Sequence, residues 1–446
     1  MLENKKALGV LREIESGTVA GIPEKHHPAD IALALDQVTD ENLILKFFLA
    51  LDHESASEIL IHLNDHTRDL ILEKSPAEKL GVLIEEMDSD DAADILADVD
   101  EERVEDIMET VSDDVDEEVS RLMEYDEDTA GGIMQTEFAS IHGESTITET
   151  IEELRTKAED IGEFHNVFVV DEQKRLLGTL PLHTLIINSG DTLIKDLLEG
   201  HDPISVTADT DQEEVAHIVK RYDLVSLPVV DEVGKLLGRI VVDDIVDVLE
   251  EEASEDIMKM AGTHDEALVQ THSSVEMAKY RFPWLASSLV AGFVAGSLIW
   301  QFKATLSEAL ALVAFIPVVM GISGNVGSQS SALVVRGMAT GKIDPGSLGW
   351  YLVKELKIGL LLGVACGILA GSGAYFWLQN GNIGWIVGMS IFISIIAAAI
   401  MGAAIPLLFR WVKIDPAIAG GPIVLAMNDI TGILIFFAIA TALMGV

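Results

Sequence analysis

Residues 421 to 432 read GPIVLAMNDITG, and Asp429 is the one charge in the run from Ala417 to Val446. It lies 13 residues after Pro416, which at 1.5 Å per helical residue is about 20 Å into a helix. That depth is near or somewhat past the middle of a bilayer. An ionised carboxylate there costs at least a few kcal/mol unless it meets water, a partner or an ion. No basic residue lies at comparable depth in the apolar segments, so a structural ion pair is disfavoured. Two readings stay open: an ion site, or a protonated, hydrogen-bonded carboxyl that joins helices. Just upstream, Gly420, Gly421 and Pro422 weaken the helix and free carbonyls, which is tolerable only beside a cavity or other protein.

A second apolar segment, PVVMGISGNVGSQSSALVVRG from Pro317, carries the other concentration of polar atoms. Pro317, Gly321, Gly324 and Gly327 are expected to interrupt it, with Asn325, Ser328 and Gln329 adding oxygens. A broken helix with oxygens, opposite one carboxylate, suggests a pore or binding site at depth. Small residues also serve close helix packing, and both readings can hold together. The candidate ligands are hard oxygens without Cys or His, which disfavours zinc and copper and favours magnesium, calcium or manganese. Magnesium sheds its waters reluctantly and uses one or two carboxylates. A single aspartate per chain, doubled by a dimer axis or helped by carbonyls, fits such an ion.

These residues belong to the uncharged end of a divided chain of 446 residues. Met1–Ala278 carries 20 basic and 69 acidic residues, a formal charge of −49, whereas Lys279–Val446 carries 9 and 5, a charge of +4. The acidic part repels nucleic acid and concentrates cations. The apolar part offers five segments of spanning length: 282–302, 309–335, 358–378, 383–409 and 416–444. Lys279, Arg281, Arg336, Lys342, Lys354, Lys357, Arg410 and Lys413 fall on one side and only Lys303 on the other. The positive-inside bias then predicts a multi-pass cell-membrane protein, in contact with lipid, with a cytoplasmic acidic part and an outer C-terminus. The start, MLENKKALGVLREIE, lacks a long apolar core, so no cleavable signal peptide is expected. Cys366, the one cysteine, sits in an apolar segment and reads as a small core residue.

The acidic part contains two internal repeats. From Asp52 the chain cuts into blocks of twelve: DHESASEILIHL, NDHTRDLILEKS, PAEKLGVLIEEM, DSDDAADILADV, DEERVEDIMETV. Positions 5, 8, 9 and 12 are mostly apolar, one helix face, with Asp, Asn or Pro opening each block. The second block departs from the pattern at Arg68 and Ser75. Stacked short helices in a small solenoid are expected. Further on, NVFVVDEQKRLLGTL from Asn166 matches SLPVVDEVGKLLGRI from Ser226. Each copy reads as strand, acidic turn and strand, with a helix upstream. The pair resembles tandem cystathionine-β-synthase (CBS) domains, a regulatory module. No decisive nucleotide ligand set is visible; ATP is a candidate only because CBS pairs often bind adenine nucleotides. A polar, helix-compatible connector follows from Glu255 to Tyr280, and its His264 and His272 read as exposed polar residues.

This order of parts, with GNVGSQS…RG and GP…ND…G in the apolar end, closely resembles the MgtE family of magnesium channels and transporters. The fold expected is multi-domain: an all-α superhelical N domain (1–126), α/β tandem CBS domains (127–253, dividing near 195), a connecting plug helix (254–278) and a five-helix transmembrane domain (279–446). The resemblance implies a homodimer with a Mg²⁺-selective pore between subunits. It matches Asp429 to the pore aspartate and Asn325 and Gln329 to polar residues of the facing helix; Ser328 stands where members can carry Asn. Asp415, in KIDPA, is a candidate carboxylate at the cytoplasmic mouth and equally an ordinary helix N-cap. The resemblance further implies regulatory Mg²⁺ sensing that closes the pore. VVDDIVDVLEEEASEDI would contribute Asp243, Asp244, Asp247, Glu252, Glu255 and Asp256, and MDSDDAADIL would contribute Asp90, Asp91 and Asp94, with Asp223 beside them. Each single acid is equally a solvated helix face.

Three other classes compete. An ion-coupled carrier, or a channel for Mn²⁺ or Co²⁺, would use the same carboxylate. A membrane enzyme is disfavoured because HExxH is absent, and a pump because no Walker loop occurs. A non-transporting Mg²⁺ sensor would bind cations without flux.

Overall fold

The computed structural model describes residues 9–14, 21–97, 99–157, 161–162, 164–198, 203–263, 274–308, 310–343 and 348–445. His264 and His272 lie outside the described residues. Two compact units divide the chain after Leu249.

After a helical stretch at residues 9–14, the described residues of the first unit form a run of short helices: α1 (Pro28–Leu35), α2 (Glu41–Leu49), α3 (His53–Ile61), α4 (Asp65–Lys74), α5 (Ala77–Glu85), α6 (Ser89–Ala97), α7 (Glu101–Met108) and α8 (Asp113–Leu122). From α3 onward their starts fall twelve residues apart, which is the period of the sequence blocks. The residue ahead of each start ends the previous turn and, in two cases, caps the next. The Asp52 side chain accepts from Ser55 N at 3.0 Å and Asn64 from Thr67 N at 2.9 Å. Apolar positions close inward, as Leu80, Leu83 and Ile84 on α5 and Ile95 and Leu96 on α6 illustrate. Helices two apart in sequence pack together, the contact pattern of a solenoid. The irregular second block has a physical cause. Ser75 leaves the helix with extended backbone, and the Arg103 guanidinium of α7 donates to the carbonyls of Leu72 and Ser75.

Two three-stranded sheets follow. In the first, β1 (Ser140–His142) lies parallel to β2 (Asn166–Val170), which is antiparallel to β3 (Leu176–Pro181). The second repeats this with β4 (Val206–Thr207), β5 (Ser226–Val230) and β6 (Leu236–Val241). Helices α9 (Ile147–Thr156) and α10 (Leu182–Ile187) accompany the first sheet, and α11 (Gln212–Tyr222) the second. The duplicated acidic turns are the same turn twice. Asp171 Oδ1 accepts from the backbone N of Gln173 and Arg175, and Asp231 Oδ1 from Val233 and Lys235, all between 2.8 and 2.9 Å. Helix α12 (Val242–Ala261) then runs on from β6, with the division between units falling within it. Its helical path begins at Val242 rather than at the connector's first polar residues.

Among the described residues, the second unit contains five helical segments long and apolar enough to cross a membrane: Met277–Gln301, Leu310–Ala339, Gly349–Leu378, Gly381–Trp411 and Pro416–Met444. They are built from α13 (Ser274–Gln301), then the short α14 (Lys303–Glu308) and a 3₁₀ turn at Leu310–Phe315, α15 (Ile316–Ala339), α16 (Leu348–Leu378), α17 (Gly381–Trp411), α18 (Pro416–Ile418), a π turn at Ala419–Ile423 and α19 (Val424–Met444). Helices α16 and α17 make the most extensive contact. A Cβ on Gly367 would stand 2.8 Å from Gly388 O, and one on Gly371 2.8 Å from Gly384 O. Two backbones thus touch along a glycine row, as apolar surroundings favour.

Replacing the Asn64 cap with alanine should cost about 1 kcal/mol of stability. Ser112→Ala, at a helix start where the side chain makes no cap bond, should stay within about 0.5 kcal/mol of wild type. Paired denaturant titrations check the contrast, and equal effects would deny Asn64 its capping role.

Candidate functional site

The chain approaches Asp429 through a built distortion. Asp415 Oδ1 caps the entry by accepting from Ala417 N at 2.7 Å. The π turn follows, and Gly421 leaves helical geometry at φ −97°, ψ −131°. The expected interruption at Gly421 and Pro422 is therefore present. Glycine is needed at this spot because a Cβ on Gly421 would lie 2.7 Å from Met260 O, and one on Gly420 2.7 Å from Met260 Cγ. Asp415 is also drawn upon by α12. Its Oδ2 accepts from Lys259 Nζ at 2.5 Å, and Lys259 also pairs with Glu255. These two bonds raise the Lys259 ammonium pKa above its ordinary value against the opposing effect of burial. Both readings of Asp415 thus meet: it is an N-cap, and it already binds a cation, the tethered ammonium.

Asp429 itself is half-buried and has no hydrogen bond or ion pair among the described residues. It faces Gly324 of α15, where an added Cβ would stand 3.3 Å from Asp429 Oδ1 and 2.6 Å from Leu425 Cδ1. One residue further, Asn325 is exposed, as are Gly321 and Gln329, four residues to either side on the same helix face. The opposite side of α15 is closed. A Cβ on Gly327 would overlap the Asn428 amide at 1.8 Å, and one on Gly402 would meet Gly327 O at 2.3 Å. Asn428 is fully buried there, with neither amide atom hydrogen-bonded among the described residues.

One expectation is corrected. Helix α15 is continuous from Ile316 to Ala339, so Pro317, Gly321, Gly324 and Gly327 do not break it. Pro317 occupies the first turn, where its missing N–H removes no helical bond. Gly324 and Gly327 admit neighbouring helices, and Gly321 stays open. The interruption lies wholly on the Asp429 side.

A residue not singled out from sequence is Glu355 of α16, 2 % exposed within a spanning segment. Its Oε2 accepts from Ser330 Oγ at 2.8 Å. Lys354 and Lys357 beside it are exposed. Glu355 lies outside the apolar run 358–378, and in sequence a carboxylate between Lys354 and Lys357 resembles a solvated flank. A usable signal was present: Glu355 heads the four-residue row Gly359, Gly363, Gly367, Gly371, which is one helix face.

In the first unit the structure brings the N-terminal end of α6 and the first turns of α12 into one electrostatic cluster. Asp90 is buried, with Oδ1 lacking a hydrogen-bond partner among the described residues. Burial, then the charges of Asp244 and Asp91, push its carboxyl well above the usual range. Burial raises Asp91 to about 6, with Asp88, Asp243, Asp247 and Glu137 adding to it. Burial and then Asp243 and Asp91 raise Asp244 to about 7. Glu137 is raised as well, chiefly by burial, although Ser89 Oγ donates to it at 2.9 Å. Asp94 is exposed on α6, and Asp223 is an exposed left-handed cap of α11 at φ 52°. Glu252, Glu255 and Asp256 continue along α12, with Glu255 held by Lys259. Among the described residues no three His, Cys, Asp or Glu side chains form a ready metal cage. The oxygen-only donors and the orphaned Asp90 Oδ1 fit a hard cation that keeps part of its water.

Three family descriptions match the chain: the MgtE divalent cation transporter over residues 316–439, the MgtE intracellular N domain over 26–128, and the CBS domain over 130–189 and 194–251. The magnesium transporter MgtE of Bacillus subtilis is 32% identical over 97% of this chain and 95% of its own. That of Thermus thermophilus is 33% identical over 99% of both. Among solved structures, the cytosolic domain of the Mg²⁺ channel MgtE in complex with ATP is 31% identical and superposes with a TM-score of 0.51, covering 54% of this chain and 99% of that one.

The acidic cluster yields a pH prediction. Asp91 and Asp244 hold protons more tightly in the folded unit than at the ordinary value of 3.8, so the folded form binds more protons between that value and about 7. Stability then falls as pH rises through this window, the cost being absent below it and complete above it. Without divalent cations, the thermal midpoint of the acidic unit should drop between about pH 4 and about pH 7, and Asp244→Asn should flatten the slope. An unchanged slope in the variant would remove the cluster as its source.

Proposed function

The chain belongs to the MgtE family of divalent cation transporters, not to an enzyme family, and on that premise we propose that it is a homodimeric Mg²⁺-selective channel, closed by Mg²⁺ on its acidic cytoplasmic part. The observation that carries this reading is Asp429: a carboxylate in a spanning segment, without a partner among the described residues, beside the exposed Asn325 face of α15. An exposed amide and a half-buried carboxylate without a partner among the described residues are poorly tolerated by lipid. A second copy of the chain would enclose them and double the carboxylate. The enclosed path suits an ion that keeps several waters and exchanges only some for carboxylate, amide or carbonyl oxygen. The kink at Gly421 supplies such carbonyls near the entry.

Gating follows from the cluster around Asp90, Asp91 and Asp244. Carboxylates crowded at the packing of α6 on α12 repel when ionised, and a divalent cation bound only in the compact arrangement shifts the population towards it. Asp243, Asp247, Glu252, Glu255 and Asp256 extend this acidic surface along α12. With the acidic unit cytoplasmic, the sensor reads the ion concentration on the side that influx raises. ATP is a further proposed ligand of the CBS pair, supported by the ATP complex of the similar cytosolic domain.

Asp429→Ala is expected to abolish Mg²⁺ uptake in reconstituted vesicles while the variant still elutes as the wild-type assembly; wild-type uptake would sink the assignment. For the sensor, millimolar Mg²⁺ should slow proteolysis of the loops that join the helical and CBS parts, and an unaltered digestion pattern would count against Mg²⁺-driven compaction.

A further inference from the structure

We infer that Glu355 is a positioning residue for the ion site: by holding Ser330 it fixes the rotation of α15, and with it the direction in which Asn325 and Gln329 point. This rests on the reading of Asp429 as the ion site. The contacts that seat α15 against α17 and α19 are apolar packing, of Val319 against the Ile433 region and of Val334 and Met338 against Ala403 and Leu407, together with close approaches at Gly324, Gly327 and Gly402. Each van der Waals contact is individually tiny, whereas a hydrogen bond weakens steeply when its angle is turned. Among the described residues, the Ser330–Glu355 bond, 2.8 Å long, is the only side-chain to side-chain hydrogen bond tying α15 to another span. It is also sheltered, since Ser330 is 5 % exposed and Glu355 2 %. A bond to a carboxylate in such surroundings is stronger than one between neutral groups.

The anchor is itself immobilised. Glu355 stands at the head of the row Gly359, Gly363, Gly367, Gly371, and the backbone of α16 meets that of α17 along it. A Cβ on Gly359 would already lie 3.2 Å from Ala399 Cβ. Sliding or turning α16 is therefore blocked, and the directional link passes from a locked helix pair to α15. Ser330 directly follows Gln329 and is five residues beyond Asn325. On a helix of roughly 6 Å outer radius, a turn of about 20° carries a side-chain tip by about 2 Å. That is enough to change which of the ion's waters an amide can reach. Neither Lys354 nor Lys357 pairs with Glu355, so the hydroxyl of Ser330 is what the carboxylate was buried to hold.

The test uses the full-length protein in vesicles, with Mg²⁺ and Mn²⁺ uptake measured separately and Asp429→Ala run alongside. Glu355→Ala and Ser330→Ala should each reduce Mg²⁺ uptake efficiency roughly tenfold, the usual effect of losing a supporting partner, and should lower the Mg²⁺/Mn²⁺ uptake ratio at unchanged assembly. The double variant should be no worse than either single one, because both remove the same bond. Glu355→Gln, which keeps an acceptor for Ser330, should stay within about threefold of wild type. The inference is overturned if Ser330→Ala retains wild-type uptake and ion ratio, if the two losses multiply, or if Glu355→Gln is as impaired as Glu355→Ala. A loss of assembled protein with an unaltered ion ratio would equally overturn it, since that is what a purely structural residue gives. If Asp429→Ala itself transports, the ion-site reading fails; if only the Glu355 and Ser330 variants behave as wild type, this inference alone fails.

Discussion

Hydrocarbon is costly for an ionised carboxylate, and Asp429 stands in a spanning segment without a partner among the described residues. Asp429 has no basic neighbour at its depth, and the helix that carries it is weakened about two turns earlier at Gly421 and Pro422. The helix opposite is stripped of side chains where it approaches, at Gly324 and Gly327. Removing Cβ atoms brings backbones together and leaves a narrow polar seam in otherwise apolar surroundings. Low permittivity there magnifies every charge–dipole interaction, so a few oxygens suffice to distinguish ions by how firmly they hold water.

The acidic unit works under the opposite condition. Its charges face solvent or each other, and crowding rather than isolation makes them costly. Three carboxyl groups at the junction of α6 and α12 are displaced upward, with burial the largest cause in each. Folding has placed acids where they discourage compaction unless a counter-charge arrives. Lys259 shows what a fixed counter-charge looks like in the other unit, where one ammonium satisfies both Glu255 and Asp415. A diffusible ion would differ from this tethered ammonium because its occupancy follows its concentration.

Much of this was legible in the residues. The twelve-residue blocks became helices starting at His53, Asp65, Ala77, Ser89, Glu101 and Asp113, because a solenoid imposes one local rule repeatedly. The sixty-residue duplication became two sheets with the same order and register. Helix breaking was judged less well. Gly-rich stretches looked alike at Gly324 and Gly421, yet only the second departs from helical geometry. The difference lies in the proline: Pro422 directly follows Gly421 and disfavours helical geometry at the residue before it, whereas Pro317 sits in the first turn of α15, ahead of Gly324. Glu355 escaped notice because one-dimensional charge counting groups it with Lys354 and Lys357, whereas three-dimensional packing separates them by helix face.

The regular pitch of the helical solenoid has a mechanical consequence. Helices touching only near neighbours along one axis behave as a chain of links, and mutual repulsion among the acids acts on that chain as an outward pressure. At physiological salt that repulsion extends about 8 Å, roughly the spacing between adjacent packed helices. Monovalent salt therefore sets the resting tension of the coil. The looseness of the coil is thus a property of the solution as much as of the chain, and dissolved salt acts on it as slack taken up along a row of hinges.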